Sequence, residues 1–135
     1  MFAQQSDLAG MSYSGGEPFA QAVALAELAM RVQSMGKTVI SWSGYSLEQL
    51  VRREIVGARE FLQHIDLLID GLFVECLAGN EVLRGSTNQG LHFLSGHISQ
   101  EYLVDIPRQE LVFNDENITY TGFPVDQKLL DYPLF

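Results

Sequence analysis

Met11-Ser12-Tyr13-Ser14-Gly15-Gly16-Glu17-Pro18 joins a short strand-like run to two glycines and a proline, residues that stop a strand and open a turn. Beyond it, apolar residues fall at 19, 22, 23, 26 and 30, and again at 25, 28, 29 and 32. That period predicts a helix over Phe19 to Met35 with a wide buried face, its Ala, Leu and Met stripe in the core. Gly36 stands where a C-terminal cap belongs. Thr38 to Trp42 is β-branched and aromatic and ends at Ser43-Gly44, which predicts a second buried strand. Ser46 and Gln49 have capping-box spacing, and Tyr45 and Leu50 occupy hydrophobic-staple positions. A helix is therefore expected from Ser46 to about Val56, broken at Gly57 and Ala58 before a further turn at Arg59 to His64. Ile65 to Asp70 reads as a third strand closed by Gly71, with Asp66, Leu68 and Asp70 on one side of it.

Strand, helix, strand, helix, strand in this order predicts parallel α/β winding, because parallel neighbours need a helical crossover. Ligands in such folds gather at the carboxyl ends of the strands. Ser14 to Pro18, Ser41 to Tyr45 and Asp70-Gly71 all lie at such ends, which argues for a site. Farther on, an acidic, irregular stretch leads to Arg84-Gly85-Ser86-Thr87-Asn88-Gln89, followed by an expected short helix from Gln89 to Leu94. Gln109 to Asn114 and Ile118 to Thr121 are expected to pair as a hairpin across Asn114-Asp115-Glu116-Asn117. The expected division is a main α/β part over 1–105 and a strand and hairpin tail over 106–135.

The 135 residues suit a single core, and 47% hydrophobic with 19% charged residues describes a globular chain. A net charge of −9 leaves few cations to neutralise phosphates, so nucleic acid is not an expected partner. No apolar run approaches the roughly 18 residues that suggest a membrane span. The first ten residues lack the pattern of a signal peptide, so the expected location is cytoplasmic with no membrane partner. Cys76 is the only cysteine, which excludes an intrachain disulfide and any multi-cysteine metal site built from this chain alone. Its simplest reading is a small, buried or half-buried residue. His64, His92 and His97 lack metal-ligand spacing and read as surface or packing residues.

Four segments, in order over Met11 to Gln89, resemble the radical S-adenosylmethionine (SAM) enzymes, and among them the activating proteins of anaerobic ribonucleotide reductases. Gly15-Gly16-Glu17-Pro18 looks like their GGEP motif; Val39 to Glu48 (VISWSGYSLE) resembles their strand-to-helix TGYxxE element. Ile65 to Phe73 (IDLLIDGLF) is similar to their IDVLVDGxF, and Leu83 to Gln89 (LRGSTNQ) to their FRGSSNQ. The tail from Arg108 to Pro124 resembles, more weakly, the closing strand of related single-cluster proteins.

The resemblance implies a partial (β/α) barrel of radical SAM type, truncated here, with a small C-terminal β-hairpin. It implies SAM contacts at Ser14, Gly15, Gly16, Glu17, Pro18, Ser41, Ser43, Gly44, Asp70, Arg84, Ser86 and Asn88. The chemistry of the turn suits such a ligand. Two glycines let the main chain approach closely, while exposed carbonyls and the Glu17 carboxylate offer acceptors to an ammonium. Asp66 and Asp70 are either solvated edge residues or, for Asp70, a polar ligand contact. Arg84, Ser86 and Asn88 either meet the SAM carboxylate or ribose or cap the helix expected after them.

The sequence departs from the family at two places. Gly90 stands where the family usually has Arg, and the CxxxCxxC loop that precedes GGEP in the family is not present. In the family three thiolates hold a 4Fe-4S cluster and leave one iron for SAM. The cluster's electron breaks a C–S bond of SAM, and the resulting 5′-deoxyadenosyl radical takes hydrogen from a glycine of the partner enzyme. The expectation is therefore a SAM-binding half, with no catalytic or metal-ligating residues of its own. It would depend on a cluster-bearing N-terminal half or chain and serve a glycyl radical enzyme such as anaerobic ribonucleotide reductase. The alternative is a non-catalytic SAM- or partner-binding module.

Overall fold

A computed structural model describes residues 8–79, 81–104, 109–113 and 118–122, the last two stretches as backbone. Strands β1 (Gly10–Tyr13), β2 (Thr38–Ser43), β3 (Leu67–Asp70) and β4 (Gly90–Phe93) form one sheet whose spatial order follows chain order. β1, β2 and β3 are parallel, with Tyr13 opposite Ser41 and Ser43 opposite Asp70. β4 runs antiparallel to β3 and sets Gly90 opposite Asp70. The chain is thus mixed α/β, as its alternating pattern predicts. β5 (Gln109–Phe113) and β6 (Ile118–Gly122) pair antiparallel as a separate two-stranded sheet where the tail hairpin is expected, although the turn between them lies outside the described residues.

Local signals set the helix boundaries. Pro18 opens a 3-10 turn (Pro18–Gln21) that needs no N–H from it, and the turn continues into α1 (Ala22–Ser34). At the other end, Gly36 takes φ of 73° and donates to the Gln33 carbonyl, while the Lys37 N–H reaches the Val32 carbonyl. This pair of bonds is a Schellman ending, for which glycine avoids the steric penalty of a Cβ. Ser46 and Gln49 cap α2 (Leu47–Arg52) reciprocally, the expected capping box.

α2 is shorter than the expected run to Val56, because Arg53 is already extended with ψ of 141°. The chain leaves the helix and brings Gly57 against α1. There φ is 80° and an added Cβ would stand 2.7 Å from the Val23 nitrogen, so only glycine allows this approach before α3 (Ala58–Gln63) begins.

Residues 90–93 form a strand where a short helix from Gln89 to Leu94 was the expectation. Gly90 weakens a helix over this run, whereas β3 offers a free edge on which each of residues 90–93 finds a partner from Phe93 opposite Leu67 to Gly90 opposite Asp70. With no helix at this point, the capping role for Arg84, Ser86 and Asn88 falls away.

Each face of the sheet has its own apolar cluster. On the helix side, Tyr13, Phe19, Val39, Leu50, Phe61, Ile65 and Leu68 pack with the small residues of α1. Phe61 lies edge-on to Tyr13 at 5.7 Å and tilted against Phe19 at 4.9 Å. On the other side, Leu67 and Ile69 pack with Ile98 and Leu103, against which Ile40, Trp42, Leu83 and Leu91 are partly buried. The Trp42 indole N–H donates to the Leu83 carbonyl at 2.7 Å.

Two core expectations need correction. α1 meets the sheet through Ala22, Ala26, Ala29 and Val32, and this close approach leaves Leu28 and Met30 on the outward side, 40% and 49% exposed. Cys76 is exposed, on the 3-10 turn Glu75–Leu77 that leads away from β3. No helix among the described residues is long and apolar enough to cross a membrane.

Tyr13 carries a cost within the helix-side core. Its hydroxyl is buried with no hydrogen-bond partner among the described residues, and burial pushes its pKa up. Tyr13→Phe should therefore be neutral or stabilising by up to about 1 kcal/mol in urea unfolding; a loss beyond that would mean that the hydroxyl has a partner.

Candidate functional site

The carboxyl ends of β1, β2 and β3 bring the first three expected motifs together. β1 runs out through exposed Ser14 into Gly15 and Gly16, with φ of 78° and 55°. Both are exposed, and no atom of the described residues lies within 4 Å of where a Cβ would stand on either glycine. Pro18 is buried beneath them.

Glu17 faces inward from this turn. Its Oε1 accepts from the Phe19 N–H at 3.0 Å and from the Ser43 hydroxyl at 2.9 Å, and its Oε2 accepts from the Gly44 N–H at 2.8 Å. Ser43, nearly buried, also accepts from the Tyr45 N–H. Gly44 allows the carboxylate to close on β2, since an added Cβ would stand 3.4 Å from Glu17 Oε2 and 3.1 Å from Leu72 Cδ2. Ser41 lies deeper, wholly buried with its hydroxyl directed to the Trp42 carbonyl. The structure therefore places Ser41 under the site and Ser14, Gly15 and Gly16 at its surface.

Asp70 is likewise buried, which removes the solvated-edge alternative. Its Oδ2 accepts from the Leu47 N–H at the start of α2, at 2.6 Å, and its Oδ1 from the Gly90 N–H at 3.1 Å. His92 Nε2 lies 2.9 Å from the same Oδ1 without hydrogen-bond alignment, an ion pair when the imidazole is protonated. These two residues, with Leu47, Glu48, Val51 and Arg52, line an open cavity of about 490 Å³ beside α2. A Cβ added at Gly90 would stand 2.6 Å from Asp70 Oδ1, so this chain's arrangement depends on glycine there.

The RGSTNQ loop folds back onto the end of β3. Asn88 donates to the Leu72 carbonyl at 2.8 Å. The Gln89 side chain, which was not among the expected contacts, donates to the Gly71 carbonyl and accepts from the Gly85 and Ser86 N–H groups. Its carboxamide carries both a donor and an acceptor, as that position requires, and this was the available sequence signal. Ser86 is fully buried and accepts from the Val74 N–H. Arg84 donates to the Gln89 carbonyl and pairs with Glu81 at 2.7 Å. Ser86, Asn88, Gln89 and the Arg84 terminal nitrogens thus have partners within the chain, while Arg84 Nε is buried with no hydrogen-bond partner among the described residues.

A second polar cluster lies at the opposite end of the sheet. Asp66, also offered as a solvated-edge candidate, is fully buried. It accepts from the Val39 N–H at 2.7 Å, the Ser95 hydroxyl at 2.6 Å, His97 Nδ1 at 3.0 Å and the Gln33 amide at 3.2 Å. Burial alone would raise its pKa, but the hydrogen bonds from Ser95, His97, Val39 and Gln33 outweigh it and hold the carboxyl below its ordinary range. His64 bonds the other end of the same Gln33 amide.

The open glycine turn and the inward carboxylates thus lie at the carboxyl ends of the parallel strands of a mixed α/β sheet, the place where such folds commonly take ligands. The chain belongs to the 4Fe-4S single cluster domain family, whose model matches residues 1–92. It is 34% identical over 88 residues to the anaerobic ribonucleoside-triphosphate reductase-activating protein of Haemophilus influenzae, covering 62% of this chain and 54% of that protein. The protein of the same name from Escherichia coli K12 is 32% identical over 90 residues, covering 63% and 56%. The chain therefore spans about half the length of the curated relatives it matches, and no solved structure matches it. These matches bear out the resemblance to activase-like radical SAM proteins.

The residues in hand do not form a cluster site. Cys76 is the only cysteine, and no group of three or more His, Cys, Asp or Glu able to hold a metal ion occurs among the described residues.

Proposed function

We propose that this chain is the SAM-binding part of a radical SAM activating system, with cluster cysteines contributed by polypeptide outside this sequence. The observation that carries the reading is the Gly15-Gly16 turn, open on its outer side and held at the carboxyl end of a parallel sheet. Its family and the names of its relatives support the system to which it is assigned. On this reading the sheet is part of a (β/α) barrel over 1–105 with the tail beyond it, the location is cytoplasmic, and the target is a glycyl radical enzyme such as an anaerobic ribonucleotide reductase.

Within this proposal the chain's own work is binding and orientation. The Gly15 and Gly16 main chain receives the amino-acid end of SAM, with acceptor carbonyls suited to an ammonium. Glu17, Ser43 and Gly44 hold the second strand end beside it, and Asp70 with Gln89 fixes the third and fourth. An iron–sulfur cluster, when supplied, contributes the electron that cleaves SAM.

Calorimetric titration of SAM into the purified chain should give saturable binding, and Gly16→Val should abolish it by placing a branched side chain at positive φ in the open turn. No binding by the wild type would overturn the reading. Co-expression with a polypeptide carrying CxxxCxxC should then give a brown, SAM-cleaving complex. Binding without such complementation would favour the non-catalytic module.

A further inference from the structure

We infer that Leu72, Phe73 and Leu77, with the Glu75 carboxylate among them, form a docking surface for a segment of a partner polypeptide that carries lysine or arginine beside apolar side chains. Docking here does not depend on SAM. The run Leu72-Phe73-Val74-Glu75-Cys76-Leu77 leaves the carboxyl end of β3 directly after Gly71, and its three large side chains are 70%, 57% and 41% exposed. Large apolar groups gathered in one short exposed run mark a contact surface more often than a solvated loop.

The backbone of this run is held in place. Asn88 donates to the Leu72 carbonyl at 2.8 Å, the Val74 N–H donates to the Ser86 hydroxyl at 3.1 Å, and the Thr87 N–H donates to the Leu77 carbonyl at 2.9 Å. Ala78 closes the run with a β-bridge to Ser86. Leu72 lies over Gly44 and the Phe73 ring over Gly85, where an added Cβ would stand 3.1 Å from Leu72 Cδ2 and 2.9 Å from Phe73 Cδ2. The RGSTNQ loop is thus a frame that presents apolar side chains outward on a fixed backbone, which lowers the ordering cost of binding, and Phe73 supplies an aromatic anchor. Charge selects the occupant. Glu75 is exposed with no ion pair among the described residues, residues 72–79 contain no cation, and Glu81 is already paired with Arg84. A second copy meeting this surface across a two-fold axis would oppose Glu75 with Glu75 between chains of net charge −9, so a different, basic polypeptide is the complementary partner.

Cys76, the only cysteine, is exposed within the run, so its alkylation by iodoacetamide reports whether the surface is covered. Two synthetic octapeptides serve as probes, one alternating leucine with lysine and one alternating leucine with glutamate. The leucine–lysine peptide should bind the purified chain in calorimetry and slow Cys76 alkylation saturably; the leucine–glutamate peptide should do neither. Phe73→Ser should weaken binding by about tenfold or more, and Glu75→Gln by about threefold. Asn88→Ala, which frees the Leu72 carbonyl and leaves the docking side chains in place, should also weaken it by about threefold. Leu28→Ser removes an exposed apolar side chain on α1 and should change nothing. No binding of the leucine–lysine peptide, equal binding of both peptides, binding that leaves Cys76 reactivity unchanged, or an equal loss in Phe73→Ser and Leu28→Ser would overturn the inference. Protection of Cys76 that grows with the concentration of the chain alone would overturn it in favour of a second copy. SAM is absent throughout, so the result is separate from the outcome of the SAM titration.

Discussion

Asp66→Ala is expected to lower stability by about 3–5 kcal/mol. The carboxylate is fully buried and serves donors from α1, the start of β2 and the loop after β4. Removing it strands the buried Val39 N–H and the Gln33 amide, and it frees the loop that carries Ile98 toward the second core. The change should appear as a lower urea midpoint with little change in slope. The pH dependence has a definite sign. The folded carboxyl lies below its ordinary value of about 3.8, so its stabilisation is complete above that value and is lost as pH falls through the lower folded value. Asp66→Ala should flatten the acid limb of the stability curve, and an acid limb identical to the wild type would refute this role.

Phe61→Ala is expected to cost a similar 3–5 kcal/mol, with a consequence at the proposed site. Its ring is wholly buried between Tyr13, the last residue of β1, and Phe19, the second residue after Glu17. One aromatic side chain thus supports both ends of the Gly15-Gly16 turn from below. Losing it leaves a cavity under the turn, so hydrogen exchange between 14 and 19 should accelerate more than exchange in β3. Phe61→Leu, which keeps much of the volume, should restore most of both effects. Equal acceleration throughout the sheet would show only global destabilisation.

The sequence made the parallel framework readable because each of its signals is local. Two glycines before a proline, the β-branched run at Thr38 to Trp42 and the reciprocal capping of Ser46 and Gln49 each act through neighbours a few residues away. β4 was not readable in that way. Gly90 to Phe93 has no strong pattern of its own and becomes a strand because β3 presents an edge to it. The apolar residues of α1 were readable as a face but not as a depth, since three alanines bring the helix so close that Leu28 and Met30 remain outside.

Within the candidate site, residue types marked the strand ends and their partners remained hidden. Glu17, Arg84, Ser86 and Asn88 look like ligand contacts because their side chains are polar and lie near strand ends. A linear sequence gives the number of donors and acceptors but not which of them meet inside the fold. Gln89 illustrates the reverse case, in which an ordinary glutamine satisfies three backbone groups at once.

The agreement between strand order and chain order has a kinetic consequence. Every pairing in the main sheet joins strands adjacent in sequence, so no later strand must insert between two already paired. The sheet can grow in the order of synthesis, each parallel pair forming once its helical crossover has closed, which is the slow step in sheets of this kind. Asp70 obtains its Gly90 partner only with the fourth strand, so the carboxyl end of β3 stays incomplete until β4 is made, and in a chain growing from its N-terminus Gly90 reaches Asp70 before Phe93 can reach Leu67.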